Sequence, residues 1–252
     1  MIVTTDAVVL RTMKYRESSR IALLYTRALG KIPVIAKGAR DGKSRLGGPL
    51  QPMNLVSAVV YVRETREVQL ITQCDVLVPM HALSADLEKM GAAMAALELT
   101  DAVSPPGEPS GDLFRLLAGT LGAVSGATKQ AGNALYYFEL HLLGLIGFRP
   151  LLGMCASCGR GVEAEGGEDL HMSQGGILCR ACSRTRPVLG PVSPAALAVL
   201  RRLQEATDPA SATRIVLEPR LRGEIALVLR RYLLAHVEGL RTLRSEAVFS
   251  TL

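Results

Sequence analysis

The chain has 252 residues, of which 48% are hydrophobic, so it can bury the cores of one or two domains and is too apolar to be disordered. Lys and Arg outnumber Asp and Glu by 29 to 23, and the resulting net charge of +6 favours a polyanionic partner over an acidic one. The first residues lack a basic segment followed by an apolar run, so we expect no secretory signal and a reducing cytoplasm. The longest apolar stretch, residues 134–148, is shorter than the roughly 20 residues of a membrane span.

The positive charge is concentrated near the start of the chain. Residues 1–50 hold ten Lys or Arg against three Asp or Glu, whereas residues 51–154 hold six against ten. This asymmetry is typical of a nucleic-acid-binding surface at one end of a protein, although a solvated basic face produces the same count.

Five short segments rich in Val, Ile, Leu and Tyr predict strands in the first 79 residues. They are Val3–Leu10, Ile21–Thr26, Lys31–Ala36, Leu55–Val62 and Val68–Val76. Five strands in so short a segment indicate a small barrel of the OB type. We therefore predict an α+β protein in which residues 1–79 form a five-stranded OB-fold nucleic-acid-binding domain.

Beyond residue 80 the apolar residues recur at helical spacing. Leu87, Leu113 and Leu135 begin three such patterns, with Ser84 as the expected N-cap of the first helix and Ser104 at its end. Two more helices are predicted, one introduced by Pro194 and one from Leu221 to Leu243. Residues 80–252 are thus predicted to form an α-helical domain, which an insertion at residues 153–186 interrupts.

The insertion carries paired Cys-x-x-Cys motifs. Cys155 and Cys158 form the first pair, Cys179 and Cys182 the second, and 20 residues separate the pairs, as in four-cysteine zinc sites. The Gly-rich insertion has too little apolar content to fold by burial alone, so we predict a structural zinc ion there. A redox pair or disulfides are the disfavoured alternative, and His171 is a weaker candidate ligand. Four thiolates leave zinc no open position, which disfavours a zinc enzyme.

The basic residues of the barrel cluster in two connections between predicted strands. The segment from Gly38 to Ser44 superficially resembles a phosphate-binding P-loop, but its glycines are one residue too close and no helix follows. We interpret it as a mobile basic loop beside a basic turn, as in OB folds that bind single strands through such loops. The predicted DNA-binding residues are Lys14, Arg16, Lys37, Arg40, Lys43 and Arg45, with Tyr15, Tyr25 and Tyr61 as candidate stacking residues.

Several sequence motifs, in their order, resemble the RecO family of bacterial recombination mediators. The motifs are Gly30-Lys31, Ala36-Lys37-Gly38-Ala39-Arg40, Ser44-Arg45-Leu46, Leu50-Gln51-Pro52, Gly147-Phe148-Arg149-Pro150-Leu151, Cys155-Ala156-Ser157-Cys158-Gly159, Gly175-Gly176-Ile177-Leu178-Cys179, Arg231-Tyr232-Leu233 and Arg241-Thr242-Leu243-Arg244-Ser245. Met53 departs from the family, which often has Phe there, and we expect Met53 to fill the same core position. The resemblance implies an OB fold, a helical domain and a zinc module.

The resemblance also implies a function and partners. It implies binding of single- and double-stranded DNA, annealing of strands coated by single-strand-binding protein, and loading of RecA together with RecR, in the bacterial cytoplasm at the nucleoid. It further implies that the helical domain receives the acidic tail of single-strand-binding protein, for which Arg115, Lys129 and Arg149 are the candidate cations. We expect no enzymatic activity. The main alternative is an RNA-binding protein with a zinc ribbon and an OB fold, because charge and an OB fold do not distinguish DNA from RNA.

Overall fold

Five strands at the start of the chain close into a barrel. The structure is a computed structural model that describes residues 1–41, 44–78, 81–84, 86–162 and 170–240. The strands follow the order β1-β2-β3-β5-β4 around the barrel, and β3 and β5 run parallel. This confirms the predicted five-stranded barrel. Its strands are β1 (Ile2–Tyr15), β2 (Ser19–Thr26), β3 (Gly30–Ala36), β4 (Leu55–Tyr61) and β5 (Gln69–Val78).

Strand β1 is long because it pairs with a neighbour on each side. Ala7 lies opposite Thr26 of β2 and opposite Val56 of β4. A register shift between Val9 and Arg11 bends the strand, as a β-bulge does. The bend lets the second half of β1 continue along β2 alone and project the β1–β2 turn at one end of the barrel.

Alternate residues of the five strands fill the barrel interior. Leu24, Val34 and Val60 are fully buried there. Ala39 and Leu50, from the connection between β3 and β4, are buried in the same core. The long basic connection is therefore anchored to the barrel at two points.

Three helices follow the barrel. They are α1 (His81–Ser84), α2 (Leu87–Val103) and α3 (Gly111–Gly126). The N-cap of α2 is Asp86, whose carboxylate accepts a hydrogen bond from the Lys89 N–H at 3.0 Å, so the prediction of Ser84 as the cap was wrong. Ser104 ends α2 as predicted, and its N–H donates to the Thr100 carbonyl.

The last turn of α2 and the segment between α2 and α3 attach these helices to the barrel. The Lys31 ammonium donates to the Asp101 carboxylate at 3.0 Å, and the Arg11 guanidinium lies 3.4 Å from the same group. Gly30 has a φ of +64°, and a Cβ atom there would lie 2.2 Å from the Glu108 carbonyl oxygen. By its contacts the first compact unit extends to Ser125. The domain limits 1–79 and 80–252 stay predictions.

The second unit begins at Gly126 and combines helices with a three-stranded sheet of order β7-β6-β8. It bears out the predicted helices near residues 135 and 194, while the last helix ends at His236 and residues 241–243 lie outside the described residues. The elements are α4 (Asn133–Leu145), β6 (Leu170–Ser173), β7 (Gly176–Leu178), α5 (Arg180–Ser183), β8 (Gly190–Val192), α6 (Pro194–Glu205), α7 (Pro209–Ala212) and α8 (Pro219–His236).

Hydrogen bonds attach the cysteine-bearing segment to the helices of its own unit. The Arg201 guanidinium, on α6, donates to the carbonyl of Leu152 at 2.7 and 2.9 Å and to that of Val162. The Tyr232 hydroxyl, on α8, donates to the Gln174 carbonyl at 2.9 Å. No helix among the described residues is long and apolar enough to span a bilayer.

Candidate metal centre and nucleic-acid interface

Four cysteine sulfurs converge in the second unit. The Sγ atoms of Cys155, Cys158, Cys179 and Cys182 all lie within 4.8 Å of one another. Tetrahedral thiolate coordination with Zn–S near 2.3 Å requires sulfurs about 3.8 Å apart, so the cluster needs little adjustment. The four predicted ligands are therefore brought together, and the site can hold a metal ion.

The first Cys-x-x-Cys pair lies on a tight backbone turn. The Cys155 N–H donates to the Arg160 carbonyl at 2.8 Å, and the Gly159 N–H donates back to the Cys155 carbonyl at 2.9 Å. Gly159 has a φ of +72°, a conformation that favours glycine. The turn brings the exposed Cys158 beside the buried Cys155.

The second pair begins the short helix α5. Cys179 is its N-cap, and the Ser183 N–H donates to the Cys179 carbonyl at 3.0 Å. Residues three apart lie on one face of a helical turn, so Cys182 points to the same side as Cys179. We call the two Cys-x-x-Cys segments, residues 155–158 and 179–182, the knuckles. A backbone hydrogen bond joins the first knuckle to the strand that leads into the second, because the Ala156 N–H donates to the Ile177 carbonyl at 2.8 Å.

Gly176 is required where the two knuckles meet. Its φ is +131°, and a Cβ atom there would lie 2.2 Å from the Leu151 carbonyl oxygen. The Ile177 N–H donates to that same carbonyl at 2.8 Å. Only glycine allows this close approach of the two backbone segments.

The thiols of the cluster ionise unequally. Burial of the Cys155 thiol opposes its ionisation, but hydrogen bonds from the backbone of Cys179, Cys158 and Ser157 outweigh the burial and lower the pKa to about 6. The Ser157 hydroxyl lowers the pKa of Cys182, but the sulfurs of Cys179 and Cys158 outweigh that effect and raise it to about 12. The sulfurs thus oppose one another's ionisation, so a set of four thiolates requires a cation to neutralise it, as in a metal–thiolate site.

His171, the weaker candidate ligand, is not part of the cluster. The cysteine group is the single set of three or more His, Cys, Asp or Glu ligand atoms found close together in the described part of the chain. His171 lies on β6, where its Nδ1 atom is buried and makes no hydrogen bond. The lone thiol of Cys74 is buried in the barrel core, and burial raises its pKa to about 12, as expected of an inert core cysteine.

The predicted DNA-binding residues lie on two neighbouring connections at one end of the barrel. Lys14 and Arg16 lie at the end of β1 and in the β1–β2 turn, and Lys37 and Arg45 lie on the β3–β4 connection. All four are exposed. Lys43 lies outside the described residues.

Arg40 joins these two connections. Its guanidinium Nη1 donates to the Glu17 carbonyl at 2.8 Å and to the Arg16 carbonyl at 3.1 Å. Its backbone N–H donates to the Ser18 carbonyl at 2.9 Å. We call the resulting surface, formed by Lys14, Arg16, Lys37, Arg40 and Arg45, the basic edge.

The three candidate stacking tyrosines have different surroundings. Tyr15 is partly exposed, and the Arg16 guanidinium lies 5.4 Å from its ring centre. Tyr61 is half-buried, and the Arg63 guanidinium lies 5.2 Å from its ring centre. Tyr25 is 1% exposed and its hydroxyl donates to the Ser110 carbonyl, so its selection as a stacking residue was wrong.

The comparison with known proteins identifies the family. The family model "Recombination protein O N terminal" matches residues 1–80, and "Recombination protein O C terminal" matches residues 84–246. A protein of Chloroherpeton thalassium named DNA repair protein RecO is 30% identical, over 100% of this chain and 99% of its own length. The chain belongs to the RecO family. It therefore belongs to a family of DNA repair and recombination proteins.

Other RecO proteins match at similar levels. The protein of Anaeromyxobacter dehalogenans is 36% identical over 86% of this chain and 85% of its own length. The RecO protein of Symbiobacterium thermophilum is 31% identical over 98% of this chain and 96% of its own length. The chain therefore matches both halves of its relatives rather than a shared barrel alone.

Gly30, in a motif that carries the family resemblance, and Met53, where the chain departs from the family, both lie at positive φ. Gly30 allows the close approach to Glu108 described above. Met53 has a φ of +74° and its N–H donates to the Val9 carbonyl at 2.9 Å. It is half-buried in a turn, so the expectation that it fills a core position was wrong.

The three predicted partner-binding cations are exposed but belong to different units. Arg115, on α3 in the first unit, pairs with Asp112 one turn away. Lys129 and Arg149 belong to the second unit. An acidic tail with an apolar end needs an apolar groove beside the cations. Leu135, Phe138 and Leu142 of α4 are buried in the core and do not line an open groove. Pairing of the three cations with the tail stays a prediction.

Proposed function

We propose that this protein is a DNA-binding recombination mediator that anneals complementary single strands coated by single-strand-binding protein and, with RecR, helps to load RecA. The observation that carries the proposal is the basic edge, where two basic connections of an OB-type barrel are joined through Arg40 in a chain of the RecO family. The names of its relatives, DNA repair protein RecO, support the same role.

The basic edge would bind DNA by neutralising phosphates. Lys14, Arg16, Lys37 and Arg45 carry exposed charges that can replace the counterions of a nucleic-acid strand. Tyr15 and Tyr61 offer partly exposed rings on which bases could stack. Two complementary strands repel each other through their phosphates, so a protein that neutralises those charges favours annealing.

We propose that the metal is zinc and that its role is structural. The four-thiolate donor set suits zinc, and a closed tetrahedral shell leaves no position for water or substrate. Zinc bound there would hold the two knuckles together and stabilise the fold of the segment. Because this donor set supplies no open coordination site, we propose that the protein is not an enzyme.

We propose single- and double-stranded DNA, RecR and single-strand-binding protein as direct partners, and RecA as an indirect one. The acidic tail of single-strand-binding protein would pair with Arg115, Lys129 and Arg149, whose side chains are exposed. The protein would act in the bacterial cytoplasm, on the DNA of the nucleoid. A labelled tail peptide should bind saturably at low salt, and simultaneous replacement of the three cations by Ala should abolish that binding.

An annealing assay tests the proposed function directly. Complementary strands coated with single-strand-binding protein should anneal faster with the protein than without it, and a Lys14→Ala, Arg16→Ala, Lys37→Ala, Arg45→Ala variant should lose the effect. Matched single-stranded RNA is the competitor that separates DNA from RNA binding. Stronger binding of the RNA, or no acceleration of annealing, would overturn the proposal, and metal-dependent turnover of a substrate would overturn the non-enzymatic role.

A further inference from the structure

A cleft beside the metal centre is lined by arginines within or next to the two knuckles. Its lining residues are Arg160, Cys179, Arg180, Ala181 and Arg184. We call this the knuckle cleft. Arg160 follows the first Cys-x-x-Cys pair, whereas Arg180 lies within the second pair and Arg184 lies two residues after it. Because the cysteine cluster joins the two knuckles, the metal would fix the three arginines relative to one another.

The count of charged residues along the sequence does not reveal this positive surface. Residues 155–192 hold four Arg and four acidic residues and are neutral as a block. All four acidic residues lie within residues 163–169, outside the described residues. The arginines that line the knuckle cleft, Arg160, Arg180 and Arg184, are exposed.

We propose that the knuckle cleft is a second phosphate-binding surface, which contacts a nucleic-acid strand separately from the basic edge. Arg180 and Arg184 are one helical turn apart and lie on the same face, so their guanidinium groups can reach neighbouring phosphates. The planar guanidinium donates two parallel hydrogen bonds to a phosphate group, which suits arginine for this contact. The inference rests on the proposed function, because it assigns a further contact to the same DNA.

The lining of the knuckle cleft favours a nucleic-acid backbone over an acidic peptide. Peptide tails that combine acidic and apolar residues need an apolar groove beside the cations. The knuckle cleft offers the methyl group of Ala181 and the buried sulfur of Cys179, and its other lining residues are arginines. A partner that needs charge neutralisation and little apolar contact fits this lining, as a sugar–phosphate chain does.

A second phosphate surface also fits the annealing proposed above. Annealing brings two strands to one protein, and one basic surface can neutralise only the phosphates that reach it. The basic edge lies in the first compact unit and the knuckle cleft in the second. The chain would thus carry phosphate contacts on both of its units.

The salt dependence of DNA binding tests the proposal in the full-length, metal-loaded protein. The variant replaces Arg160, Arg180 and Arg184 by Ala, and the control replaces Arg202, Arg214 and Arg220, which are exposed arginines outside the cleft in the same unit. Both variants lose three positive charges. The ligand is oligo-dT of ~30 nucleotides, which is longer than the roughly 4–16 nucleotides that one OB fold covers. In the cleft variant the slope of log K against log salt should fall in magnitude by about 2, which is ~0.7 for each lost contact.

Further measurements separate loss of contact from loss of fold. The cleft variant should keep the metal content of the wild type, and the corresponding triple Lys variant should recover most of the slope because it restores the charge. If the triple Ala variant loses its metal, the single charge reversal Arg184→Glu should still reduce the slope relative to Arg214→Glu.

The outcomes distinguish this proposal from the proposed function. Equal slopes in the cleft and control variants, while the wild type still binds and anneals DNA, would overturn the second phosphate surface alone. Failure of the wild type to bind DNA would overturn both. An unchanged DNA slope together with lost binding of polyglutamate would assign the knuckle cleft to an acidic protein and also overturn the proposal.

Discussion

Among the residues of the basic edge, Arg40 differs from its neighbours because its donors are partly used within the barrel. It donates to the carbonyls of Arg16 and Glu17, whereas Lys37 and Arg45 extend from the same connection with exposed side chains. From their charge alone, all three residues were predicted to contact DNA phosphates. The structure gives Arg40 a positioning role, because it holds the β1–β2 turn against the β3–β4 connection.

Replacing Arg40 and Lys37 separately should distinguish the two roles. Arg40→Ala should lower the free energy of unfolding by about 1 kcal/mol through its lost hydrogen bonds. Lys37→Ala should leave stability unchanged within about 0.5 kcal/mol and reduce the magnitude of the salt slope on single strands by roughly 0.7. Urea unfolding and DNA titration measure the two quantities. Equal stability losses in both variants would remove the positioning role of Arg40.

Glu139 is the one carboxyl group that is buried among the described residues of the second unit. It lies on α4 among buried apolar residues, and burial raises its pKa to about 8. The folded protein therefore holds this proton at a pH where the unfolded chain has released it. The stability linked to Glu139 is fully present below the ordinary glutamate pKa and is lost as the pH rises through about 8.

The variant Glu139→Gln should remove this pH dependence. Between pH 5 and pH 8 the free energy of unfolding of the wild type should fall relative to that of the variant. The slope should reach about 1.4 kcal/mol per pH unit between the pKa of Glu139 in the unfolded chain and its pKa in the folded protein. Urea unfolding of both proteins across this range gives the difference, and Glu205→Gln, at an exposed position, is the control. A constant difference between wild type and Glu139→Gln would show that the carboxyl group does not retain its proton.

At the scale of elements, the strands were the part best predicted from sequence. Segments rich in Val, Ile, Leu and Tyr located all five strands, because such residues fill the barrel interior. The prediction missed that β1 continues from Leu10 to Tyr15. Contacts between distant segments escaped prediction. Tyr25 has the pattern of an exposed strand residue, yet the segment before α3 covers it through Ser110. The N-cap of α2 was also misplaced, since Ser84 and Asp86 both suit a cap.

Gly30 tests the attachment of the α2–α3 segment to the barrel. Gly30→Ala would combine an unfavourable positive φ with a clash against the Glu108 backbone, so it should lower the free energy of unfolding by at least about 2 kcal/mol. Gly122→Ala is the matched control, because Gly122 lies in α3 with open space around its Cα. That control should be neutral or stabilising by about 0.5–1 kcal/mol. Thermal unfolding of both variants measures the contrast, and equal midpoints would contradict it.

The cysteine cluster is the candidate metal centre, and the sequence identified all four of its cysteines. The paired spacing predicted all four cysteines because each Cys-x-x-Cys motif forms one local turn. The arginines around it were not identified, since their charge is cancelled in the count by acidic residues elsewhere in the insertion.

A Cys155→Ser, Cys158→Ser variant should lose the metal and unfold the segment locally. Elemental analysis should find about one zinc per wild-type chain and a large loss in the variant. Hydrogen exchange should then accelerate at Ile177 and Ala156, whose backbone groups join the knuckles. Full retention of metal by the double variant would contradict the proposed ligand set.

At the scale of the whole molecule, the two compact units carry different chemistry. The first unit holds the basic edge, and the second holds the cysteine cluster and the knuckle cleft. Family membership applies to both, because one family model matches each half of the chain. The proposed mediator role therefore depends first on whether the basic edge binds a DNA strand.

The most direct test of that role is the salt dependence of single-stranded DNA binding by the wild type and by the Lys14→Ala, Arg16→Ala, Lys37→Ala, Arg45→Ala variant. Four lost phosphate contacts should reduce the magnitude of the slope of log K against log salt by roughly 3, at ~0.7 per contact, and should weaken binding across DNA sequences alike. Circular dichroism and thermal unfolding establish that the variant remains folded. An unchanged slope in the folded variant would contradict the assignment of the basic edge as the DNA-binding surface.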